Sequence, residues 1–265
     1  MFIIAGRLST FVIFITILIL VFIPLFLTQR RKIKPQEKLQ RLAALDAIDE
    51  NLARAAEMGR PIMFGLGAYA RLKDDSSTQT MAGLDILSYV ARQAAAADTP
   101  LFCSTGQSES LAAMTDVVEE AYRAEGKADH FDAKRCVWWS DAWTQYYIGL
   151  TGLLYDTKPA TVIFSGAVSW EAAQLSTEIH DLGGVLIGGT GRYGAANQSL
   201  MAIGSDYHII LEEMYAASAY LSKDPIECAT ILGQDYSKFL EIGLIIIGFI
   251  FSLAGVKLLA NFLLM

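Results

Sequence analysis

The stretch KPATVIFSGAVSWEAAQLSTEIHDLGGVLIGGTG, residues 158–191, decides the fold class of this chain. Its apolar runs at 161–165 and 185–188 are short and unbroken, which is typical of buried strands. The segment between them, 169–182, has the length and the mixed polarity of a helix. Because neither run alternates with polar residues, both faces of each strand are expected to be covered, as in a parallel sheet. The stretch therefore predicts a strand–helix–strand unit of an α/β domain.

The same alternation continues outward through the middle of the chain. An amphipathic helix is predicted at 36–58, because leucine and isoleucine recur there every three or four positions, and Gly59 is expected to end it. Further strands are predicted at 61–65, 100–104 and 136–140, and further helices near 79–97, 108–125, 142–155 and 211–222. A final apolar run near 200–204 leads toward the last helix. This pattern predicts a Rossmann-like, doubly wound, mostly parallel sheet with helices on both faces.

Residues 1–34 are predicted to form a membrane anchor with a basic flank. Residues 8–27 are uncharged and long enough, as a helix, to cross a hydrocarbon core of about 30 Å. A cleaved signal peptide is the alternative, but its apolar region is usually about 7–15 residues long and ends at a small-residue cleavage site. Here the apolar run leads directly into basic residues. Since basic flanks favour the cytoplasmic side, the middle domain, 35–238, is expected in the cytoplasm of a cell-membrane protein.

Residues 239–265 are predicted to form a second membrane helix, which makes the chain a two-pass protein held in the lipid bilayer. Its uncharged run ends at Lys257, whose long stem can reach the far interface. Gly248, Ser252 and Gly255 recur at helical spacing and share one face. Small residues at such positions permit close packing of membrane helices. The first helix and a neighbouring subunit are both possible packing partners.

Charge and cysteine content restrict the class of partner. Residues 36–238 contain 15 basic and 27 acidic residues. Such a domain is repelled by nucleic acid and by anionic lipid, so nucleic acid is not expected as a partner. Cys103, Cys136 and Cys228 form no CxxC pair and no metal-ligand spacing with the three histidines. They are expected to act as small apolar side chains in a reducing compartment.

The carboxyl ends of the predicted strands are rich in small and polar residues, and this is where doubly wound folds bind ligands. Glycines there let backbone amides approach a ligand, although tight strand-to-helix turns need glycine in any case. The candidate ligand-binding residues are Gly65, Gly67, Thr105, Gly106, Gly166, Glu171, Gly188, Gly189, Thr190, Gln198, Asp206 and Glu213. The dinucleotide fingerprint, a P-loop lysine and a GxSxG elbow are all missing from the sequence, so no cofactor is predicted.

Three carboxylates among these candidates have two interpretations. Glu171 and Glu213 are predicted to open helices, where the helix dipole favours an acidic residue without any further role. Alternatively, Glu171, Asp206 and Glu213 are neighbours around one cleft at the strand ends. In that case their crowding would raise a pKa or hold a cation.

Several strings of the middle domain resemble an uncharacterised family of membrane-anchored proteins, known as a domain of unknown function. The matching strings are ARAAEMGRPIMFGLG (53–67), TMAGLDILSYVA (80–91), GTG followed by NQ (189–198) and SDYHIILEEMYAASAYLSKDP (205–225). The resemblance implies a leading membrane helix, an α/β region and a hydrophobic tail. It also implies that Glu57, Gly59, Pro61, Gly67, Gln198, Asp206, Tyr207, Glu212 and Glu213 occupy motif positions. It implies no reaction and no catalytic residue.

Two functional hypotheses follow from these observations. The first is an assembly or scaffold subunit, because twin membrane helices hold many copies in one plane and strengthen weak lateral contacts. It predicts a homo-oligomer, with other membrane subunits as further possible partners. The second is a membrane-tethered sensor that binds a nucleotide or metabolite at the strand ends. An enzyme is the least favoured class, because the sequence carries no nucleophile–base pair, metal site or cofactor motif.

Overall fold

A computed structural model of the chain describes residues 8–30, 34, 37 and 42–253. The helices are α1 (Leu8–Gln29), α2 (Ala43–Met58), α3 (Ser77–Ala96), α4 (Ser108–Ala124), α5 (Trp143–Thr157), α6 (Glu171–Asp181), α7 (Ala195–Gly204), α8 (Glu212–Ser222) and α9 (Pro225–Leu253). The strands are β1 (Ile62–Gly65), β2 (Leu101–Thr105), β3 (Cys136–Trp138), β4 (Thr161–Gly166), β5 (Val185–Thr190) and β6 (Tyr207–Ile210). The chain divides into two compact units, Gln40–Ser222 and the two ends, Met1–Leu39 with Lys223–Met265.

The central unit is built on a six-stranded sheet in the order β3-β2-β1-β4-β5-β6, and every neighbouring pair is parallel. The predicted parallel α/β architecture is therefore confirmed. This is the strand order of doubly wound dinucleotide-binding folds. The order reverses between β1 and β4, and in such sheets the crevice outside their carboxyl ends is the usual ligand position.

Helices cover both faces of the sheet, and successive strand residues alternate between the two layers. On one face, α2, α3, α4 and α8 bury Ile62 and Phe64 of β1 together with Ile163 of β4. On the other face, α5, α6 and α7 bury Met63 of β1 and Phe164 of β4. Each of these five side chains is almost completely excluded from solvent. Continuous apolar strands thus have the two-sided burial that their sequence predicts.

Two predicted elements need correction. The leading helix begins at Ala43 rather than at residue 36, because Leu42 has an extended backbone; most residues before Leu42 lie outside the described residues. The apolar run near 200–204 belongs to α7, and the sixth strand, which the sequence pattern did not reveal, follows at Tyr207–Ile210. Gly59 ends α2 as predicted, with a left-handed φ of 61° that glycine adopts without strain.

The terminal unit contains two helices that are long and apolar enough to cross a membrane, Ser9–Gln29 and Pro225–Leu253. Within this unit α1 packs against α9, and Gly233 permits a close approach of the two backbones. A Cβ at Gly233 would lie 2.8 Å from Cα of Val21. Helix α9 begins well before the predicted span, and it carries an Asp235–Lys238 ion pair ahead of its uncharged run. Gly248 and Ser252 lie in α9, whereas Gly255 and Lys257 lie outside the described residues.

Candidate functional site

The carboxyl edge of the sheet gathers most of the residues that the sequence singled out. Gly65, Thr105 and Gly166 are the last residues of β1, β2 and β4, and Gly188, Gly189 and Thr190 end β5. Gly67 and Gly106 follow in the loops after β1 and β2. The parallel order of the strands brings all of them to one edge, as predicted.

Three of these glycines allow neighbouring loops to pack backbone against backbone. A Cβ at Gly67 would lie 2.6 Å from the carbonyl oxygen of Ala167, and one at Gly166 would lie 2.6 Å from that of Leu66. A Cβ at Gly106 would lie 2.5 Å from Cα of Ala68. Gly67 and Gly166 also have φ values of 98° and 139°, which L side chains rarely adopt. The crevice between β1 and β4 is therefore occupied by the chain's own loops.

The other candidate glycines also have packing partners. A Cβ at Gly65 would meet the ring of Phe164 at 2.5 Å, and one at Gly189 would lie 3.0 Å from Oγ of Ser165. Gly188 faces Ser205 and Met201 of α7. Close packing thus accounts for these glycines, and ligand binding by them stays a prediction.

Glu171, in the first turn of α6, connects two of the loops by hydrogen bonds. Its side chain is fully buried, and its carboxylate accepts hydrogen bonds from the backbone N–H of Ala68 at 2.6 Å and of Ser169 at 2.7 Å. Burial raises the pKa of Glu171, while these N–H donors and the positive charge of Arg192 oppose the rise. The carboxylate joins the loop after β1 to the loop after β4.

Polar side chains from β2, from the start of α4 and from α5 extend this network inward. Gln107 donates from Nε2 to the carbonyl of Ala68 at 2.6 Å, and Thr105 shares a 2.6 Å hydroxyl–hydroxyl bond with Ser110. The hydroxyl of Tyr146 lies 3.4 Å from that of Ser104, and both side chains are fully buried. Burial, and then the charge of Glu171, raise the pKa of Tyr146 well above its ordinary value.

Among the described residues, three buried polar atoms at this edge have no hydrogen-bond partner, and sequence reasoning did not single out two of their residues, Gln79 and Arg192. They are Oγ of Ser165, Oε1 of Gln79 and Nε of Arg192. The Arg192 guanidinium lies 4.1 Å above the ring of Tyr69. Arg192 lies two residues after Thr190, the last residue of β5. The hydroxyl of Thr190 donates to the carbonyl of Val168 at 2.7 Å. An unsatisfied buried polar atom is costly, so a polar ligand or a water molecule would find partners here.

The three carboxylates proposed as neighbours do not share one end of the sheet. Asp206 precedes β6 at the amino edge, where it accepts from the backbone N–H of Leu186 at 2.8 Å and lies 3.0 Å from Nε2 of His180. Glu171 and Glu213 lie at the carboxyl edge, and Glu213 accepts from the N–H of Ile210 at 3.3 Å. Gln198 lies in α7 and is partly buried. In the part of the chain that the structure describes, no three His, Cys, Asp or Glu side chains form a metal site.

The amino edge contains an arginine that sequence reasoning passed over. Arg60, within the EMGRP string, donates to the carbonyls of Lys158, Pro159 and Leu182 at 2.9 Å each, and to that of Gly183 at 3.3 Å. Lys158 and Leu182 cap the C-termini of α5 and α6. The guanidinium therefore satisfies carbonyls that helix ends leave without partners.

Two cavities in the described structure lie at this amino edge. One cavity of about 270 Å³ is lined by Asp49, Tyr89 and Thr99, among others. A second, of about 260 Å³, is lined by Asp98, Tyr122, His130 and Arg135. None of the predicted ligand residues is among the residues that line these two cavities. Doubly wound folds bind their ligands at the opposite edge.

Comparison with known proteins identifies a family. A family model described as a domain of unknown function, DUF6754, matches residues 2–263. Curated proteins and solved structures give no match. The match covers nearly the whole chain, including the α/β unit and both apolar helices, and it agrees with the resemblance carried by the EMGRP and SDY strings. The chain therefore belongs to the DUF6754 family, a family of domains of unknown function.

Proposed function

We propose that this chain is a membrane-anchored assembly subunit whose cytoplasmic α/β domain pairs with a second copy through the outward face of α5. The observation that carries the proposal is the composition of that face. Ile148 and Tyr155 are 63% and 50% exposed there, with Gly152 between them on the same side. Large exposed apolar side chains grouped together mark interaction surfaces.

The α5 face differs from the solvent face of α4, a helix on the other side of the sheet. Helix α5 contains a single charged residue, Asp156, in its 15 residues. Helix α4 presents several acidic residues, among them Asp116 and Glu120, which are exposed. A surface helix of a monomer is expected to be polar on its outer side. The low charge of α5 favours a role in contact with protein rather than with water.

Gly152, in the interior of α5, also indicates a contact with a partner helix. Glycine inside a helix costs about 0.5–1 kcal/mol relative to alanine, so its presence calls for a reason. For Gly149 the reason is internal, because a Cβ there would collide with the ring of Trp139. At Gly152 nothing lies within 4 Å of the Cβ position. A partner helix crossing α5 at this point would use the free space, since small residues let helix backbones approach.

A second copy of the chain is the partner that fits the charge. Residues 36–238 carry 15 basic and 27 acidic residues, so two such domains repel each other over most of their surfaces. On α5, where Asp156 is the one charged residue, that repulsion is reduced. A two-fold contact would place α5 against α5, and anchoring in one membrane raises the effective concentration of the copies.

The proposed orientation rests on charge as well. Arg30, Arg31, Lys32 and Lys34 follow the first apolar helix, which favours the cytoplasmic side for the segment that comes next. Two spans would then place both chain ends outside and the α/β unit inside. Protease added to sealed cells should leave the α/β unit intact, and its digestion from outside would overturn the orientation.

The mass of the purified full chain tests the pairing. Light scattering in detergent, corrected for the bound detergent, should give a multiple of 29.0 kDa for the wild-type chain. Ile148→Glu should reduce the mass to that of a monomer, because it places like charges across the contact. Met81→Glu is the matched control, since Met81 is 55% exposed on α3, and it should leave the mass unchanged. A monomeric wild type, or an unaltered Ile148→Glu oligomer, would contradict the proposal.

A second candidate function, a membrane-tethered sensor, is supported by a separate observation. The strand order is that of dinucleotide-binding folds, and the unpartnered atoms of Ser165, Gln79 and Arg192 lie at the corresponding edge. A nucleotide or polar metabolite bound there should raise the melting temperature of the full chain. Glu213→Gln, at the same edge, should diminish that rise, whereas Asp206→Asn, at the opposite edge, should preserve it. A ligand screen without any shift would count against the sensor.

A further inference from the structure

Two of the three cysteines, far apart in sequence, face each other in the sheet. Cys103 of β2 and Cys136 of β3 are directly paired residues in the parallel register. Neighbouring strands lie about 4.7–4.9 Å apart, and disulfides bridge Cα atoms that are about 4.4–6.8 Å apart. The backbone spacing of this pair is therefore compatible with a disulfide bond.

We propose that Cys103 and Cys136 form a peroxide-sensitive thiol pair, in which Cys136 is oxidised first and Cys103 then closes a disulfide between β2 and β3. The oxidant is a small hydroperoxide such as hydrogen peroxide. The site lies between β3, the outermost strand on one side of the sheet, and its neighbour β2. The proposal does not depend on the proposed self-association.

The two thiols differ in their exposure to solvent. Cys136 lies on the edge strand and is partly exposed, whereas Cys103 is fully buried beside it. A small oxidant therefore reaches Cys136 first. Both cysteines are free thiols in this structure.

The surroundings of Cys136 also favour its reactive form. The neighbouring Cys103 thiol, and to a smaller extent Thr115, lower the pKa of Cys136, against the effects of burial and of Asp132. Burial raises the pKa of the Cys103 thiol. Since the thiolate is the nucleophile, the difference assigns the first step to Cys136.

The reaction balances as two displacements. The Cys136 thiolate attacks one oxygen of hydrogen peroxide, the O–O bond breaks, and hydroxide leaves, so that Cys136 becomes a sulfenic acid. The sulfur of Cys103 then attacks the sulfenic sulfur; the S–O bond breaks and the S–S bond forms. The Cys103 proton and the departing hydroxyl leave as water. The hydroxide from the first step takes up the proton that the Cys136 thiol released, so two thiols are oxidised, one peroxide is reduced and two water molecules result.

Cys228 provides an internal control. It lies in α9, outside the sheet, and it is not a register partner of either residue. Under the proposal it remains a thiol while the other two become linked. Cys228→Ser should therefore leave the peroxide response unchanged.

Thiol counting on the full chain in detergent tests the proposal. After treatment with hydrogen peroxide and alkylation under denaturing conditions, the wild type should carry two fewer alkyl groups, with Cys103 and Cys136 joined in one linked peptide. Before alkylation its intact mass should be lower by about 2 Da, since two hydrogens are lost. In Cys103→Ser, a sulfenic acid should persist at Cys136 and react with dimedone.

The wild-type measurement decides the outcome even if a variant fails to fold. Full alkylation of Cys103 and Cys136 after peroxide would overturn the proposal. So would a linkage through Cys228, or conversion of Cys136 to a sulfinic acid without any linked peptide.

Discussion

At the carboxyl edge of the sheet, loops are held by backbone packed on backbone, whereas at the amino edge one side chain, Arg60, gathers carbonyls from two helix ends. The first arrangement leaves no room for an added atom, because a Cβ at Gly67 would lie 2.6 Å from a carbonyl oxygen. The second depends on a single cation and four acceptors. The glycine-rich edge is therefore a packed junction, and the two cavities described above lie at the opposite edge.

The largest effect is expected from adding one methyl group at the carboxyl edge. Gly67→Ala combines a positive φ with a collision against the backbone of Ala167, and should lower the stability by at least about 3 kcal/mol. Gly59→Ala is the matched control at the amino edge, because Gly59 also has a positive φ but has nothing near its Cβ position. It should cost about 1 kcal/mol. Thermal unfolding of the full chain in detergent measures both, and equal losses would contradict the packing argument.

The next largest effect is expected at the amino edge. Arg60→Met removes the donors to four carbonyls and should lower the stability by about 2–3 kcal/mol, since each carbonyl must find a new partner. Arg60→Lys should recover part of the loss, because it restores the charge without the planar fork. Arg54→Met, on the exposed surface of α2, should change the stability by less than about 0.5 kcal/mol. If Arg60→Met matched Arg54→Met in the same melting experiment, the role assigned to Arg60 would be wrong.

A smaller effect, which depends on pH, is expected at Glu171. Burial raises the folded-state pKa of Glu171 above its ordinary 4.5. Its contribution to stability is therefore fully present below that value and is lost as the pH rises through the raised pKa. Glu171→Gln cannot ionise and should lack this loss. Melting curves from about pH 4 to about pH 8 should show the wild type losing stability relative to the variant.

The control for this experiment carries the same change of charge on the surface. Glu120→Gln lies on the exposed side of α4, and its melting temperature should follow that of the wild type across the pH range. Parallel curves for the wild type and Glu171→Gln would contradict the assignment.

The smallest change in stability is expected for a hydroxyl without a hydrogen-bond partner, compared with a hydrogen-bonded hydroxyl at the same edge. Ser165→Ala removes a buried hydroxyl that has no partner, and should change the stability by less than about 0.5 kcal/mol or raise it slightly. Thr190→Val removes the bond to the carbonyl of Val168 and should cost about 1–2 kcal/mol. A large loss in Ser165→Ala would reveal a partner for this hydroxyl, such as a buried water or a ligand.

Local pattern predicted much of this fold. Five strands were visible as apolar runs. Gly65, Gly166 and Thr190 lie at the carboxyl edge because parallel strands all end at the same edge of the sheet. The sixth strand was missed because YHII at 207–210 is only four residues long and follows a longer apolar run that is in fact α7. Strand β6 lies at the end of the sheet and its first two residues, Tyr207 and His208, are exposed, so it lacks the continuous apolar run that indicates a buried strand.

The contacts of the site were beyond the sequence for a different reason. The carbonyl partners of Arg60 lie 98 to 123 residues away, and Cys103 meets Cys136 only through the strand order. No local pattern encodes such pairings. Likewise, the strand-end glycines indicated an approach of backbone, but not whether a ligand or another loop makes that approach.

Cross-linking in native membranes tests most directly whether α5 pairs with α5. A two-fold contact centred on Gly152 would place that residue beside its copy, so Gly152→Cys should form a disulfide-linked dimer under mild oxidation. Its mass on a non-reducing gel should be twice 29.0 kDa. Met81→Cys, on α3, is the control, because Met81 is exposed as Gly152 is, and it should remain monomeric. A failure of Gly152→Cys to cross-link more than Met81→Cys would contradict the account.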